Sequence, residues 1–120
     1  MRDVGRIDDE TCREFQGGVE LVGKRWTAAI LLALARGGER FAELHHGVDG
    51  ISARLLAVRL KELQDNELVE RTVVPSTPVQ IRYTLTERGR DLLRSLIPLI
   101  RWQQRWGDAA EADKRSAVRR

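Results

Sequence analysis

With a single cysteine, Cys12, in 120 residues, the chain can close no internal disulfide, which suits a reducing cytoplasm. Long apolar runs are also missing. The longest, "TAAILLALA" at 27–35, falls well short of the ~20 residues that cross a bilayer. The opening "MRDVGRIDDETCREF" has no apolar core of the kind that directs secretion, so a cytoplasmic protein with no membrane association is expected. No nucleophile is spaced with a base, no glycine-rich loop reads as a phosphate cradle, and no His, Cys and acidic cluster has metal-ligand spacing. Catalytic residues, a metal and a cofactor are therefore not expected. Repeats and low-complexity linkers are absent too.

What is present has the balance of a folded domain. The chain is 42% hydrophobic and 32% charged, a mixture that folds without staples at the length of one domain. Its net charge of +3 permits a polyanionic partner without requiring one. Only "KRSAVRR" at the end clusters basic residues. Residues 1–9 are expected to be a flexible start, 10–107 the folded domain, and 108–120 a charged, mobile tail.

Periodicity orders the middle. Phe15, Val19 and Val22 recur at i, i+4 and i+7, predicting a helix over about 10–22 that Gly17 and Gly18 weaken and Gly23 ends. The run 27–35, apolar almost all round, predicts a central core helix stopped by Gly37-Gly38. Residues 39–41 read as a short strand. Phe41, Leu44 and Val48 then share a helical stripe, and Asp49-Gly50 marks a turn. In "GISARLLAVRLKELQDNELVER", Ser52 stands where an N-cap belongs, and Ile51 and Leu56 are spaced as a hydrophobic staple. After "QDNE" the period falls from 3.6 to 2. "LVERTVVP" and "VQIRYTLT" predict two strands joined by Pro75-Ser76-Thr77-Pro78, a hairpin at an edge. Thr86 is placed to cap a last helix over about 87–106, with Glu87 favouring its positive end and Pro98 kinking it or freeing a carbonyl. The sum is a mainly α chain with a small β-hairpin, in the order of a winged helix-turn-helix.

Counting at about 100° per residue puts Leu56, Leu60 and Leu63 inward, with Ala53 and Ala57 near that side. Arg54, Val58, Lys61 and Asp65 lie opposite, Leu55 and Glu62 flank them, and Arg59 falls between. Entering a major groove, Arg54 can fork onto a guanine and Val58 or Leu55 can meet a thymine methyl. Ser52 and the N–H groups around it can hold a phosphate, and Arg59 and Lys61 suit the backbone further along. In the hairpin, Ser76, Thr77, Gln80 and Arg82 form the polar ribbon expected beside DNA.

The segments "LVGKRWTAAILLAL", "RFAELHHGVDGISARLLAVRLKELQDNELVERTVVP" and "IRYTLTERG", in that order, resemble the HxlR-type family of prokaryotic winged-helix transcription regulators, relatives of the MarR-like group. The resemblance covers about residues 19–106. It implies a homodimer built from N- and C-terminal helices, Ser52 and Arg54 in the DNA-facing segment, and Trp26 as a packing residue. His45-His46 stand where the family often has arginines. Ala57-Val58 stand where threonine or glutamine is common, which shifts base contact toward apolar groups. Many members carry a sensing cysteine ahead of the first helix, and Cys12 lies about one residue upstream of that place.

Cys12, beside Arg13 and Glu14, is the candidate redox sensor, against the alternative of an unreactive thiol. His45 and His46 point about 100° apart and cannot easily share an ion, so they read as surface residues. Phe15, Val19, Leu99, Trp102 and Trp106 are the candidate dimer residues, since one small body cannot cover every apolar stripe of a terminal helix. The expected function is sequence-specific binding of double-stranded DNA by a homodimer at an inverted repeat, with a small-molecule effector of unknown identity as a further expected partner. A winged-helix protein-contact module is the alternative.

Overall fold

The computed structural model describes the backbone of residues 7–118 and the side-chain surroundings of residues 7–107. Helix α1 (Asp9–Gly23) is opened by Asp8, whose carboxylate accepts the Thr11 N–H at 2.7 Å. The expected flexible start therefore gives way to ordered structure by Asp8; residues 1–6 lie outside those described. The Thr11 backbone N–H favours the ionised carboxyl and holds its pKa below the ordinary value. A depressed pKa contributes stability above the unfolded-state value, lost as pH falls through the folded one. The Thr11 amide resonance is accordingly expected to titrate on the acid side of an ordinary aspartate, and to stay flat in Asp8→Asn. A Thr11 titration unchanged by that substitution would remove the assignment.

Helix α2 (Thr27–Ala35) buries Thr27, Ile30, Leu31 and Leu34. It ends where Gly37 and Gly38 donate their N–H groups to the Leu34 and Ala33 carbonyls, each at 3.1 Å, which satisfies its last turn. The expectation of a core helix holds for one side only. Ala28, Ala29 and Leu32 are exposed, in an apolar groove that α1 and α5 border without closing.

Residues 39–41 do not form a strand. Glu39 contributes one carbonyl, which accepts the Tyr83 N–H at 2.7 Å, and helix α3 (Phe41–Gly47) begins at once. In α3 the Glu43 carboxylate accepts the Arg40 N–H at 3.0 Å, while Leu44 and, just beyond the helix, Val48 enter the core. The turn into helix α4 (Ala53–Asp65) passes through Gly50 at φ 88°. A Cβ there would stand 3.2 Å from the Trp26 ring, so glycine is needed for conformation and for space.

Strands β1 (Val69–Val74) and β2 (Gln80–Leu85) pair antiparallel, Val69 with Leu85 and Val74 with Gln80. At the base of the hairpin Val69 and Leu85 are buried. Toward the tip Val73, Val79 and Ile81 are exposed, because the ribbon outruns the body.

Helix α5 (Glu87–Val118) follows. The Thr86 hydroxyl accepts the Gly89 N–H at 3.0 Å and donates to the Glu67 carbonyl at 2.7 Å, as its capping role predicts. The helix passes Pro98 and runs beyond Trp106 to Val118. The backbone of residues 108–118, within the segment expected as a charged tail, is helical; its Ala, Glu, Lys and Arg content favours that state.

The core comprises residues of α2, α3, α4, the hairpin and their connections, including Leu31, Leu44, Leu56, Leu60 and Leu68. Among the described residues, no fully buried hydrophobic side chain comes from α1 or α5. Those helices lean on the core only through half-buried Leu21, Leu92, Leu93 and Leu96. The radius of gyration, 17.9 Å, exceeds the ~14 Å of a compact chain of this length; α5 alone extends about 48 Å at 1.5 Å per residue.

Candidate nucleic-acid interface

Helix α4 is fixed at its start, along its inner face and from one side. Ser52 Oγ accepts the Leu55 N–H at 3.1 Å, which leaves its hydroxyl proton free to donate. Among the described residues the N–H groups of Ala53 and Arg54 have no protein partner. Ile51 and Leu56 are both buried, as the staple requires, and Leu60 and Leu63 continue the inner stripe.

The side bracing comes from the link between α1 and α2. Arg59 Nε donates to the Arg25 carbonyl at 3.2 Å, and Arg59 Nη1 reaches both Glu62 oxygens at 3.2 Å. Lys24 Nζ lies 3.5 Å from the same carboxylate. The Arg25 guanidinium stacks 4.8 Å from the Trp26 ring centre, and that ring covers Gly50. Trp26 itself takes a left-handed backbone, φ 79°, and is half-buried against the core, as the resemblance implied. "GKRW" thus clamps the helix-turn-helix from behind.

This changes the expected roles on α4. Arg59, 19% exposed against 70% for Lys61, is turned onto the body of the protein, with its guanidinium held by Arg25 and Glu62. Leu55 is half-buried against the core, so its contact is mainly internal. Ala53 and Ala57, expected near the inner side, are exposed. The open face therefore carries Ala53, Arg54, Ala57, Val58 and Lys61. Its small side chains let another molecule approach the backbone. Val58 is 45% exposed, an apolar group with no internal reason to face outward. Arg54 is exposed and unpaired among the described residues, whereas Lys61 meets Asp65 at 2.9 Å in an exposed pair of small energetic value.

The hairpin divides similarly. Thr77 is exposed at the tip, while the Ser76 hydroxyl donates to the Pro78 carbonyl at 2.7 Å and can offer another molecule only acceptor capacity. Gln80 accepts from Arg40 Nη2 at 3.2 Å, and Arg82 Nη1 lies 3.6 Å from Glu39 Oε2. Both were expected to project freely. They instead tie β2 to the residues just before α3. Arg71, not singled out from the sequence, is exposed on β1 opposite Tyr83. Strand alternation could have flagged it, because it shares a face with Val73 and Ile81.

His45 Nε2 lies 3.0 Å from the Ile51 carbonyl, spanning the turn between α3 and α4, and His46 is exposed. No group of His, Cys or acidic residues among those described is arranged to hold a metal ion. No helix is long and apolar enough to cross a membrane among the described residues. Cys12 is exposed on α1. Phe15, Val19, Leu99, Trp102 and Trp106 are exposed as well.

A helix-turn-helix with an outward-facing second helix and a hairpin beside it defines a winged helix-turn-helix protein of the DNA-binding, transcription-regulating class. The chain belongs to the HxlR-like helix-turn-helix family, whose description matches residues 21–111. It is 38% identical over 104 residues to the uncharacterized HTH-type transcriptional regulator YvaP of Bacillus subtilis, covering 87% of this chain and 96% of that protein. It is 42% identical over 97 residues to the HTH-type transcriptional regulator YodB of the same organism, covering 81% and 83%. The reduced form of YodB superposes with TM-score 0.63 at 40% identity, covering 86% of this chain and 93% of that one. The redox regulator HypR in its reduced form gives TM-score 0.75 at 26% identity, covering 82% and 99%.

Proposed function

We propose that the chain acts in the cytoplasm as a homodimer that binds an inverted-repeat operator in double-stranded DNA with sequence preference. Each subunit lays the open face of α4 in a major groove and rests the hairpin tip on the flanking backbone. The observation that carries this reading is the contrast on α4. The helix is capped, stapled and clamped, yet Arg54, Ala57 and Val58 are left open on its outer face.

Arg54 supplies the forked donor for a guanine edge, Val58 and Ala57 the apolar surface for a thymine methyl. Ser52 and the two free N–H groups beside it receive a phosphate. Lys61 exchanges Asp65 for a phosphate, and Thr77 and Arg71 serve the hairpin contact. Leu55, Arg59, Ser76, Gln80 and Arg82 then position those groups rather than touch DNA as primary ligands.

The dimer reading rests on the terminal helices. Leu99, Trp102 and Trp106 recur at i, i+3 and i+7 on α5, and Phe15 and Val19 at i, i+4 on α1, all outside the core. Of these, Leu99 also lines an apolar groove of about 200 Å³, together with Val22, Leu32, Leu96 and Ile100. Two copies can set their recognition helices about one DNA turn apart, ~34 Å.

The test is binding to a palindromic fragment from the chain's own upstream region, measured across salt concentrations. Affinity is expected to fall steeply with salt as counterions are displaced. Arg54→Ala is expected to cost ~1–3 kcal/mol and relax preference at one position of each half-site. Unchanged affinity in that variant would remove Arg54 from the interface. Binding that ignores sequence, alongside a stable complex with another protein, would favour the protein-contact alternative.

YodB has been crystallised diamide-treated and quinone-bound, and Cys12 is the one thiol of this chain. Any thiol-based response here therefore acts through Cys12. Where diamide shifts operator affinity of the wild-type chain, Cys12→Ser is expected to abolish the shift. A shift that persists in Cys12→Ser would rule out a thiol as its cause.

A further inference from the structure

We propose that the cavity between the end of α2, strand β2 and the first turns of α5 binds a small organic anion, a carboxylate carried on an apolar ring or short chain. Its volume, about 390 Å³, falls within the ~300–1,000 Å³ usual for small-molecule sites. The floor is apolar, formed by buried Leu34 and Leu85 with Leu93 and Ile97 of α5, and Tyr83 adds a ring with a hydroxyl.

The polar contribution is strongly one-sided. Arg90 and Arg94, one helical turn apart on α5, both line the cavity. Arg90 Nη1 donates to the Leu85 carbonyl at 3.1 Å, which fixes the guanidinium while leaving most of its five N–H donors unused. Arg94 has only a loose contact, 3.5 Å to Asp91, in a pair whose side chains are 66% and 75% exposed. Such a pair is easily exchanged. The one carboxylate of the lining, Glu39, lies 3.6 Å from Arg82, whose charge offsets its own. A cation would be repelled, and an inorganic anion would leave the apolar floor unused. A ligand with one anionic end and an apolar body satisfies both halves.

This cavity is distinct from the apolar groove beside Leu99, where the subunits are proposed to meet. Its walls come from the end of α2 and the residues just after it, from strand β2 and from α5, so a ligand there touches all three. Binding is read on the free protein and does not depend on DNA recognition.

The experiment is calorimetric titration of the full chain with 2-naphthoate and with its neutral counterpart, 2-naphthalenemethanol. Naphthoate is expected to saturate at one per chain and to bind on the order of tenfold more tightly, as a charge-assisted hydrogen bond implies. Arg94→Gln is expected to erase that preference while leaving the alcohol unchanged. Ala35→Trp, an exposed position on the cavity rim, is expected to abolish both. Equal affinity for the two probes, a preference that survives Arg94→Gln, binding that survives Ala35→Trp, or no saturable binding at all would each overturn the proposal.

Discussion

A chain carrying both Trp102→Glu and Trp106→Glu is expected to run as a folded monomer and to lose about 10²–10⁴-fold in operator affinity. The two side chains are 52% and 58% exposed on α5, and they lie outside the core cluster. Folding of one chain does not need them, so circular dichroism and the melting transition of the monomer should survive. Association does need them if α5 meets a second copy, because four charges placed at a dry interface cannot all be paired. The loss on DNA then follows from avidity. With two half-sites engaged, the second contact forms at the high effective concentration set by the first. A monomer retains one weak, salt-sensitive contact. Sedimentation velocity and fluorescence anisotropy read the two effects separately. A double variant that remains dimeric would move the interface elsewhere, and a monomer with full operator affinity would refute dimeric recognition.

Gly89→Ala is the other large effect, on stability rather than on DNA. A Cβ at Gly89 would collide with the Leu68 carbonyl oxygen and lie 3.2 Å from a methyl group of Leu85. That carbonyl already accepts the Thr86 N–H at 3.0 Å, so it cannot retreat without breaking the junction between β1 and α5. Overpacking together with a lost hydrogen bond is expected to cost roughly 2–4 kcal/mol, a large share of what a small domain has. Gly17→Ala provides the contrast. It lies within α1, with open space where the alanine methyl group would stand, and is expected to stabilise the chain by about 0.5–1 kcal/mol. Urea denaturation distinguishes the two. A Gly89→Ala chain as stable as wild type would show that the junction gives way, and would withdraw this explanation of "TERG".

Much of the fold was legible because its signals are local. Ser52, Thr86 and the Gly37-Gly38 stop act on hydrogen bonds within one turn, so residue type and spacing suffice to place them. Strand alternation in "VQIRYTLT" and the stripe of Leu56, Leu60 and Leu63 likewise need only the period. The short strand at 39–41 failed for the same reason in reverse. A strand is defined by its partner, and only one hydrogen bond to Tyr83 was there to define it. The helical backbone of residues 108–118 follows from helix propensity, which the charge of the segment masks.

The recognition face shows where sequence reading runs out. Angular counting put Arg54 on the outer side of the helix and Arg59 between the faces, with Glu62 as a partner three residues on. What turns Arg59 onto the body of the protein is the Arg25 carbonyl, 34 residues away in sequence, while Arg54 stays open. Gln80 and Arg82 likewise meet groups distant in sequence, Arg40 and Glu39, the second through a half-exposed pair at 3.6 Å. By itself, the order of residues determined the helices, the hairpin, their caps and the family, since each depends on contacts within a few positions. Only the tertiary structure decided which cations are free, which face of α2 lies uncovered and where a cavity opens, because those outcomes depend on groups that meet only after the chain has folded back on itself.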